Sequence, residues 1–314
     1  MMAMYNVIIV RYGEIGTKSA QTRRWFENLL VNNVREALLD DGVSFKKVVA
    51  KRGRVFVKTN EAVRGAETLT RVFGIVSLSP AMEVDAELEK INKTALKLFR
   101  KKKRELGIER PRFRVTARRI TKEFPLKSPE LQAKVGEYIL ENEESEVNLH
   151  EYEVEVGVEL MEGKAYVFTE RIAAWGGLPI GTQGKVVALL SGPNSALASF
   201  LMMKRGVEVI PLHIKRSEEE LEEVRALWGK LRKYAYGAKG ELVVSEGEMV
   251  EEAMKLVRDF GAKGIVMGRY VERFTEELGE ELVRENEKVD VPIFYPLIGL
   301  PCEYVEEVRR RVGL

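Results

Sequence analysis

From Lys185 onward the chain alternates short apolar runs with stretches of helical periodicity, and this alternation restricts the fold more than any other feature. Lys185–Leu190, Val207–Ile214, Glu241–Val244, Gly264–Met267 and Pro292–Tyr295 read as strands. Helices over 195–205, 217–236, 247–260, 272–285 and 303–312 separate and close them. Strands joined through helices return in the same direction, so the pattern predicts a doubly wound parallel sheet. Upstream it breaks at Ala174-Trp175-Gly176-Gly177-Leu178-Pro179, where glycines and a proline interrupt all periodicity, and a domain boundary is expected there.

Ahead of that break the pattern differs. Tyr5–Arg11 contains Val7, Ile8, Ile9 and Val10 and reads as a buried strand that runs into the turn Gly13-Glu14-Ile15-Gly16. Phe26, Leu29, Leu30, Val34, Ala37 and Leu38 recur at helical spacing from Ala20 to Leu39, and Asp40-Asp41-Gly42 stops that helix. A strand at Arg54–Lys58, the apolar run Val72–Val76, a helix over 85–106, a strand over 112–117 and a helix over 128–141 follow. Two strands, Glu153–Met161 and Ala165–Glu170, meet in a hairpin at Met161–Lys164. This mixture predicts α+β units, and 314 residues leave room for two or three domains.

Charge divides the chain in the same way. Residues 1–127 hold 28 Lys+Arg against 14 Asp+Glu, and the remainder holds 23 against 35, although the whole carries only +2. A strongly basic half suits a polyanion such as nucleic acid, or is simply a solvated surface. In the 85–106 helix Lys90, Lys93, Lys97, Arg100, Lys101 and Arg104 fall three and four apart on one stripe, opposite Leu88, Ile91, Ala95 and Leu98. In the next strand Arg112, Arg114 and Arg118 share the side opposite Phe113 and Val115, with Arg119, Lys122 and Lys127 extending the row. In the acidic half, Val186–Leu190 leads into Ser191-Gly192-Pro193-Asn194-Ser195 and a small-residue helix. Such a turn either faces an anion with free N–H groups or is an ordinary βα turn capped by Asn194 or Ser195. One cysteine and two histidines, Cys302, His150 and His213, cannot build a structural zinc or iron–sulfur site, so no metal site is expected. The lone cysteine, the lack of a secretory start and the lack of any run of about 20 apolar residues fit a cytoplasmic protein.

Four segments together resemble the tRNA 4-thiouridine synthetase (ThiI) family: Arg11-Tyr12-Gly13-Glu14-Ile15-Gly16-Thr17-Lys18, Arg71-Val72-Phe73-Gly74-Ile75-Val76, Phe124-Pro125-Leu126 and Gly176-Gly177-Leu178-Pro179-Ile180-Gly181-Thr182. The resemblance covers nearly the whole chain and is strongest to about residue 192. It implies an N-terminal ferredoxin-like domain over 1–60, an RNA-binding THUMP domain over 61–172 and a PP-loop ATP pyrophosphatase-like domain over 176–314, without a rhodanese domain. In that family the protein binds tRNA, uses ATP and Mg²⁺ to adenylate a uridine near position 8, and replaces the adenylated oxygen with sulfur from an external persulfide donor. Carried over position by position, the resemblance assigns Leu189, Leu190, Ser191, Gly192, Asn194, Ser195, His213, Ile214 and Gly268 to ATP. With the basic rows it directs Lys97, Lys101, Arg104, Arg112, Arg114, Arg118, Arg119 and Lys122 toward RNA. No catalytic side chain is identified. A homodimer is a further expectation.

The departures are local. The family loop Ser-Gly-Gly-x-Asp-Ser is one residue shorter here, has Pro193 in the glycine region and lacks the aspartate; proline removes an N–H and fixes φ. Where the family has Thr-Gly-Asp-Ser-Leu and a Gln-rich helix, this chain has Met267-Gly268-Arg269-Tyr270, so only the glycine carries over. Pro296–Gly299 matches again. Weaker ATP binding than with an intact loop is expected, and His213 is expected to be structural. Cys302 is not expected to carry sulfur, because an internal persulfide relay needs a second thiol. The reading is therefore a tRNA-thiolating, ATP-dependent sulfurtransferase. The alternatives are a non-catalytic tRNA-binding protein with a decayed nucleotide site, or an ATP-dependent enzyme with another RNA or a smaller substrate.

Overall fold

A computed structural model describes residues 4–238 and 240–314. The backbone divides into two compact units, the first made of residues up to Tyr12, Leu38–Thr70 and Val76–Ala174, the second of Gly13–Ala37, Arg71–Ile75 and Trp175–Leu314. The elements in chain order are β1 (Val7–Tyr12), α1 (Ala20–Asp40), β2 (Lys47–Lys51), β3 (Arg54–Lys58), α2 (Ala62–Leu69), β4 (Ile75–Asp85), α3 (Leu88–Leu106), β5 (Arg112–Arg119), α4 (Ser128–Asn142), β6 (Glu146–Val147), β7 (Val154–Met161), β8 (Lys164–Phe168), β9 (Ile172–Ala173), β10 (Lys185–Leu189), α5 (Pro193–Lys204), β11 (Glu208–Ile214), α6 (Glu218–Arg232), β12 (Val243–Ser245), α7 (Met249–Phe260), β13 (Ile265–Val266), α8 (Glu276–Asn286), β14 (Ile293–Phe294) and α9 (Cys302–Val312). Among the described residues no helix is long and apolar enough to cross a membrane.

The first unit is built on a sheet of order β2-β3-β1-β4-β8-β7-β5-β6, with β9 paired to β4. Its central strand explains itself: Val7 to Val10 are fully buried, as an uninterrupted apolar run must be when both faces of the strand are covered. Two hairpins turn on left-handed residue pairs, Arg52-Gly53 between β2 and β3 and Glu162-Gly163 between β7 and β8, with φ of 48° and 78°, and 48° and 72°. Positive φ at both central residues matches the right-handed twist of the strands. β5 runs parallel to β6 and β7, the other pairings given being antiparallel. α3 and α4 pack on each other, α3 also on β7 and β8, and α4 on β5. Phe99 of α3 meets Phe113 of β5 edge to face at 5.2 Å.

Arg11, the first residue of the Arg11–Lys18 motif, is a structural charge. Its guanidinium donates to Glu159 at 2.7 Å and to Ser79 Oγ at 2.9 Å, while Arg54 donates to the other oxygen of Glu159 at 3.0 Å. All three charged groups are buried. Burial pushes the Glu159 carboxyl up, yet the two guanidiniums outweigh it and hold the group below the ordinary carboxylate range.

In the second unit the strand order is β12-β11-β10-β13-β14, all parallel. Val186, Ala188 and Leu190 face one cluster with Leu197 and Phe200 of α5, Val224 and Trp228 of α6, and Val305 and Val308 of α9. Val187 faces the other side with Ala253, Leu256 and Val257 of α7. This alternation along one strand places helices on both faces, the doubly wound arrangement. The Gly176–Thr182 motif is packing in origin: Leu178 N–H donates to the Lys204 carbonyl at 3.0 Å, and Gly177, at φ +74°, would place a Cβ 2.0 Å from that oxygen. Trp175 lies edge to face on Phe200 at 4.9 Å, with the Arg311 guanidinium 4.1 Å from its ring centroid.

Candidate functional site

Chain order reverses direction across β10: β11 and β12 lie on one side, β13 and β14 on the other. Ligands of open parallel sheets bind outside the carboxyl ends of the strands at such a switch point. There the loop after β10 and the loop after β13 border a cleft of about 770 Å³. All nine residues the sequence assigned to ATP line it: Leu189, Leu190, Ser191, Gly192, Asn194, Ser195, His213, Ile214 and Gly268.

The helix does not start as the capped-turn alternative expected. Neither Asn194 nor Ser195 is the N-cap; Gly192 holds that position, and Pro193 takes the first helical place, where its missing N–H costs nothing. Ser195, one turn in, reaches back: its Oγ accepts from the Ser191 and Gly192 N–H groups at 2.9 and 3.1 Å and donates to the Gly192 carbonyl at 2.8 Å. The N–H groups of Asn194 and Ser195 have no hydrogen-bond partner among the described residues, and they sit at the positive end of a 12-residue helix. Gly268 lies directly on this turn. A Cβ there would come 2.2 Å from Ser195 N and 2.4 Å from its Cα, so a side chain would push the two loops apart.

His213 is only 3% exposed. Its Nδ1 lies 2.8 Å from the Leu190 carbonyl, which can only accept, so Nδ1 carries the hydrogen. Nε2 is buried with no partner among the described residues. Three cations line the cleft as well. Arg269 is held by Glu281 at 2.9 Å and Glu285 at 2.7 Å, and Glu285 also accepts from the Tyr295 hydroxyl at 2.6 Å. Glu281, then Glu285, raise the Arg269 guanidinium above its ordinary value. Arg216 has no ion pair among the described residues. Arg309 of α9 donates to Asn194 Oδ1 at 2.6 Å. Sequence reading missed Arg309, which lies 115 positions from Asn194 and carries no local signal.

Among the described residues there is no group of three or more His, Cys, Asp or Glu side chains placed to hold a metal ion. Cys302 begins α9 as an exposed free thiol outside the cleft lining, beside Tyr270. Burial first, then the contacts with Cys302 and Glu272, push the Tyr270 hydroxyl up to about 12.

The basic residues of the first unit separate into free and committed charges. Lys93, Lys97, Arg100, Lys103 and Arg104 line a groove of about 780 Å³ between α3 and α4, with Tyr138 and Asn142 on its far wall. Lys90 and Lys101 of the expected stripe lie outside it: Lys90 pairs with Asp85 and Glu87, and Lys101 with Glu105. Within the groove Arg100 and Lys103 share Glu143, whereas Lys97 and Arg104 are exposed and unpaired among the described residues. Along β5, Arg112, Arg114 and Arg118 do share the side opposite buried Phe113 and Val115, but the row is largely neutralised. Arg112 donates from Nε and Nη2 to the same Glu153 oxygen, at 2.9 and 2.6 Å, and also meets Glu151 at 2.9 Å; Arg114 reaches Glu155 at 3.2 Å and stacks 4.0 Å over Tyr152. Arg119 donates to the carbonyls of Phe124 and Leu126, both at 3.0 Å, and so fixes the Phe124-Pro125-Leu126 segment. Arg118 and Lys122 remain exposed.

A parallel-sheet unit with its cleft at a helix N-terminus, joined in one chain to an α+β unit that gathers exposed Lys and Arg side chains along α3 and β5, fits the class of nucleotide-using enzymes that act on RNA. The comparisons with known proteins narrow this. Residues 7–79 match the ThiI ferredoxin-like domain, 85–170 the THUMP domain and 181–284 the model described as thiamine biosynthesis protein (ThiI). A probable tRNA sulfurtransferase of Thermococcus kodakarensis is 62% identical over 99% of this chain and 88% of its own length; one from Methanocaldococcus jannaschii is 31% identical over 98% and 87%. A crystal structure from Pyrococcus horikoshii superposes with a TM-score of 0.92 at 57% identity, covering 98% of this chain and all of the other. The crystal structure of a 4-thiouridine synthetase–RNA complex with bound ATP gives 0.81 at 28% identity, over 98% and 85%. The chain belongs to the tRNA sulfurtransferase (ThiI) family.

Proposed function

We propose that this protein converts a uridine of tRNA, near position 8, to 4-thiouridine. The single observation that carries the reading is the convergence of the nine assigned residues, from three separate segments, on one cleft at the switch point, with a buried acceptor left over at His213 Nε2. ATP fits that chemistry. Leu189 and Ile214 offer apolar faces to the base, with Leu190 packed in the core behind them; Nε2 offers an acceptor to the adenine amino group, and the free N–H groups of Asn194 and Ser195 offer donors to phosphate. Mg²⁺ would arrive on the ATP phosphates, where it screens charge; Glu220 is the lining carboxylate without an ion pair among the described residues.

In this reading the uridine O4 attacks the α-phosphorus, a P–O bond forms to the base, and pyrophosphate leaves. The terminal sulfur of an external persulfide then attacks C4, and AMP departs with the former O4. A thiol outside this chain cleaves the resulting S–S bond and leaves sulfur on the base, since Cys302 is the only thiol here. Lys97, Arg104, Arg118 and Lys122 are the cations ready to meet tRNA phosphates; Arg112 and Arg114 meet them by exchanging a carboxylate for a phosphate, Lys101 similarly, and Arg119 acts by shaping its loop. The ferredoxin-like domain is taken to include α2, which packs on β1, and β4, which lies beside β1 in the sheet, so the THUMP domain begins near Asp85 and the nucleotide domain near Trp175. A cytoplasmic location, where tRNA is modified, and a homodimer, to be tested by light scattering, belong to the same reading. Mass analysis of tRNA nucleosides from cells with and without the gene tests the function: 4-thiouridine is expected to vanish with the gene, and its persistence refutes the proposal.

A further inference from the structure

The loop in this chain offers an anion less than its length suggests. Pro193 has no N–H, and Ser195 Oγ occupies those of Ser191 and Gly192, so only the Asn194 and Ser195 N–H groups remain for a phosphate. Two N–H groups and a helix dipole are a weak counter-charge for a triphosphate. A cation at this point would compensate, and Arg309 is the lining cation that touches the loop.

We infer that Arg309 is a phosphate-binding residue of the nucleotide site and that Asn194 positions it. This rests on the ATP reading above. Arg309 Nη2 donates to Asn194 Oδ1 at 2.6 Å and Nη1 to Glu306, leaving donors over on a guanidinium that lines the cleft. Glu306 is a weak competitor, being an exposed neighbour three residues back on the same helix. Asn194 matters because it is neutral. An amide oxygen orients the guanidinium and leaves its charge available to an anion, whereas a carboxylate at the same place would pair with it and repel phosphate. The other lining cations are placed differently: Arg269 is saturated by Glu281 and Glu285, and Arg216 follows β11, on the His213 side of the cleft. His213 Nε2, buried and unpartnered, independently marks that side for the base. The cleft then has a base end at His213 and a phosphate end at Asn194 and Arg309.

Titration calorimetry of the full-length chain with MgATP and with adenosine tests the assignment. Arg309→Gln is expected to weaken MgATP about tenfold to a hundredfold, the scale of one charge-assisted contact, and to leave adenosine unchanged. Asn194→Asp is expected to act in the same direction, and Arg309→Lys to retain part of the affinity. If Arg309→Gln binds MgATP as the unaltered chain does, or loses adenosine in parallel, the phosphate role is wrong. If the unaltered chain binds adenosine as tightly as MgATP, the inference falls while the nucleotide cleft stands; if it binds neither, the ATP reading itself falls.

Discussion

Gly268→Ala tests the close approach of the two cleft loops, because the structure sets its cost. The added Cβ meets the backbone of α5: 2.2 Å from Ser195 N, 2.4 Å from Ser195 Cα and 2.6 Å from the Asn194 carbonyl carbon. Ordinary carbon contacts lie near ~3.5–4.0 Å, so the loops must separate by more than an ångström, and no side chain can rotate away to relieve the overlap. Overpacking of this kind costs about 1–3 kcal/mol, which in a domain of this size lowers the melting temperature by roughly 2–12 °C. A displacement of about 1 Å in a site of this kind costs on the order of a hundredfold in rate. Gly192→Ala is the internal control, since Gly192 has extended backbone and nothing within 4 Å of its Cβ position. Scanning calorimetry and nucleotide titration of the two variants therefore should diverge, with Gly268→Ala losing both stability and ATP and Gly192→Ala keeping its melting temperature. Equal melting temperatures for the two variants would refute the close approach of the loops.

Four further outcomes rest on the first unit and on α9. Arg11→Ala strands Glu159 between one guanidinium and apolar surroundings and should cost about 3–5 kcal/mol in chemical denaturation. Because the folded Glu159 carboxyl lies below its unfolded value of 4.5, its contribution is full above that pH and is lost as pH falls through the folded value; acid melting of Glu159→Gln should lack this component. Reversing Lys97 and Arg104 to glutamate should weaken structured-RNA binding and flatten its salt dependence, with the slope reduced by about one per lost phosphate contact; an unchanged slope would remove the α3–α4 groove from the interface. Cys302→Ser should still restore 4-thiouridine in cells lacking the protein, and complete loss with folding and tRNA binding intact would make Cys302 the sulfur acceptor.

The second unit was legible because each of its strands changes period at a turn, and β10, β11, α5 and α9 begin or end within two residues of their sequence-based limits. The first unit was harder. β2 is a five-residue strand with lysine at both ends, and α2 is only eight residues long, too short for periodicity to register. β4 contains Pro80, which in sequence argues against a strand; it sits where β4 passes from its pairing with β9 at Ser77 and Leu78 to its pairing with β8 from Met82. In the site, the lining residues on strand ends and turns were readable from a resemblance, whereas the charge state of the basic rows was not. Glu151, Glu153 and Glu155 cancel Arg112 and Arg114 only because β5 lies beside β7, a pairing that spans about 40 positions. The side-chain hydrogen bond of His213, from Nδ1 to the Leu190 carbonyl, joins residues 23 positions apart and carries no local signal.

Both sheets also end in strands that make poor templates for another chain. At the margins of the parallel sheet, β12 has three residues and β14 two, and β6 at one margin of the larger sheet has two. The opposite margin is β2, whose flanking Lys47 and Lys51 are both exposed and would repel a second copy laid alongside. Native molecules at high concentration therefore have little to gain by edge-to-edge addition. The hazardous surface is the inner one: Val7 to Val10, four apolar residues in a row, is unshielded only while the chain is unfolded or newly made. Association between chains should accordingly track the population of unfolded molecules during heating, and slow refolding at high chain concentration should lose more material than prolonged storage of the folded protein.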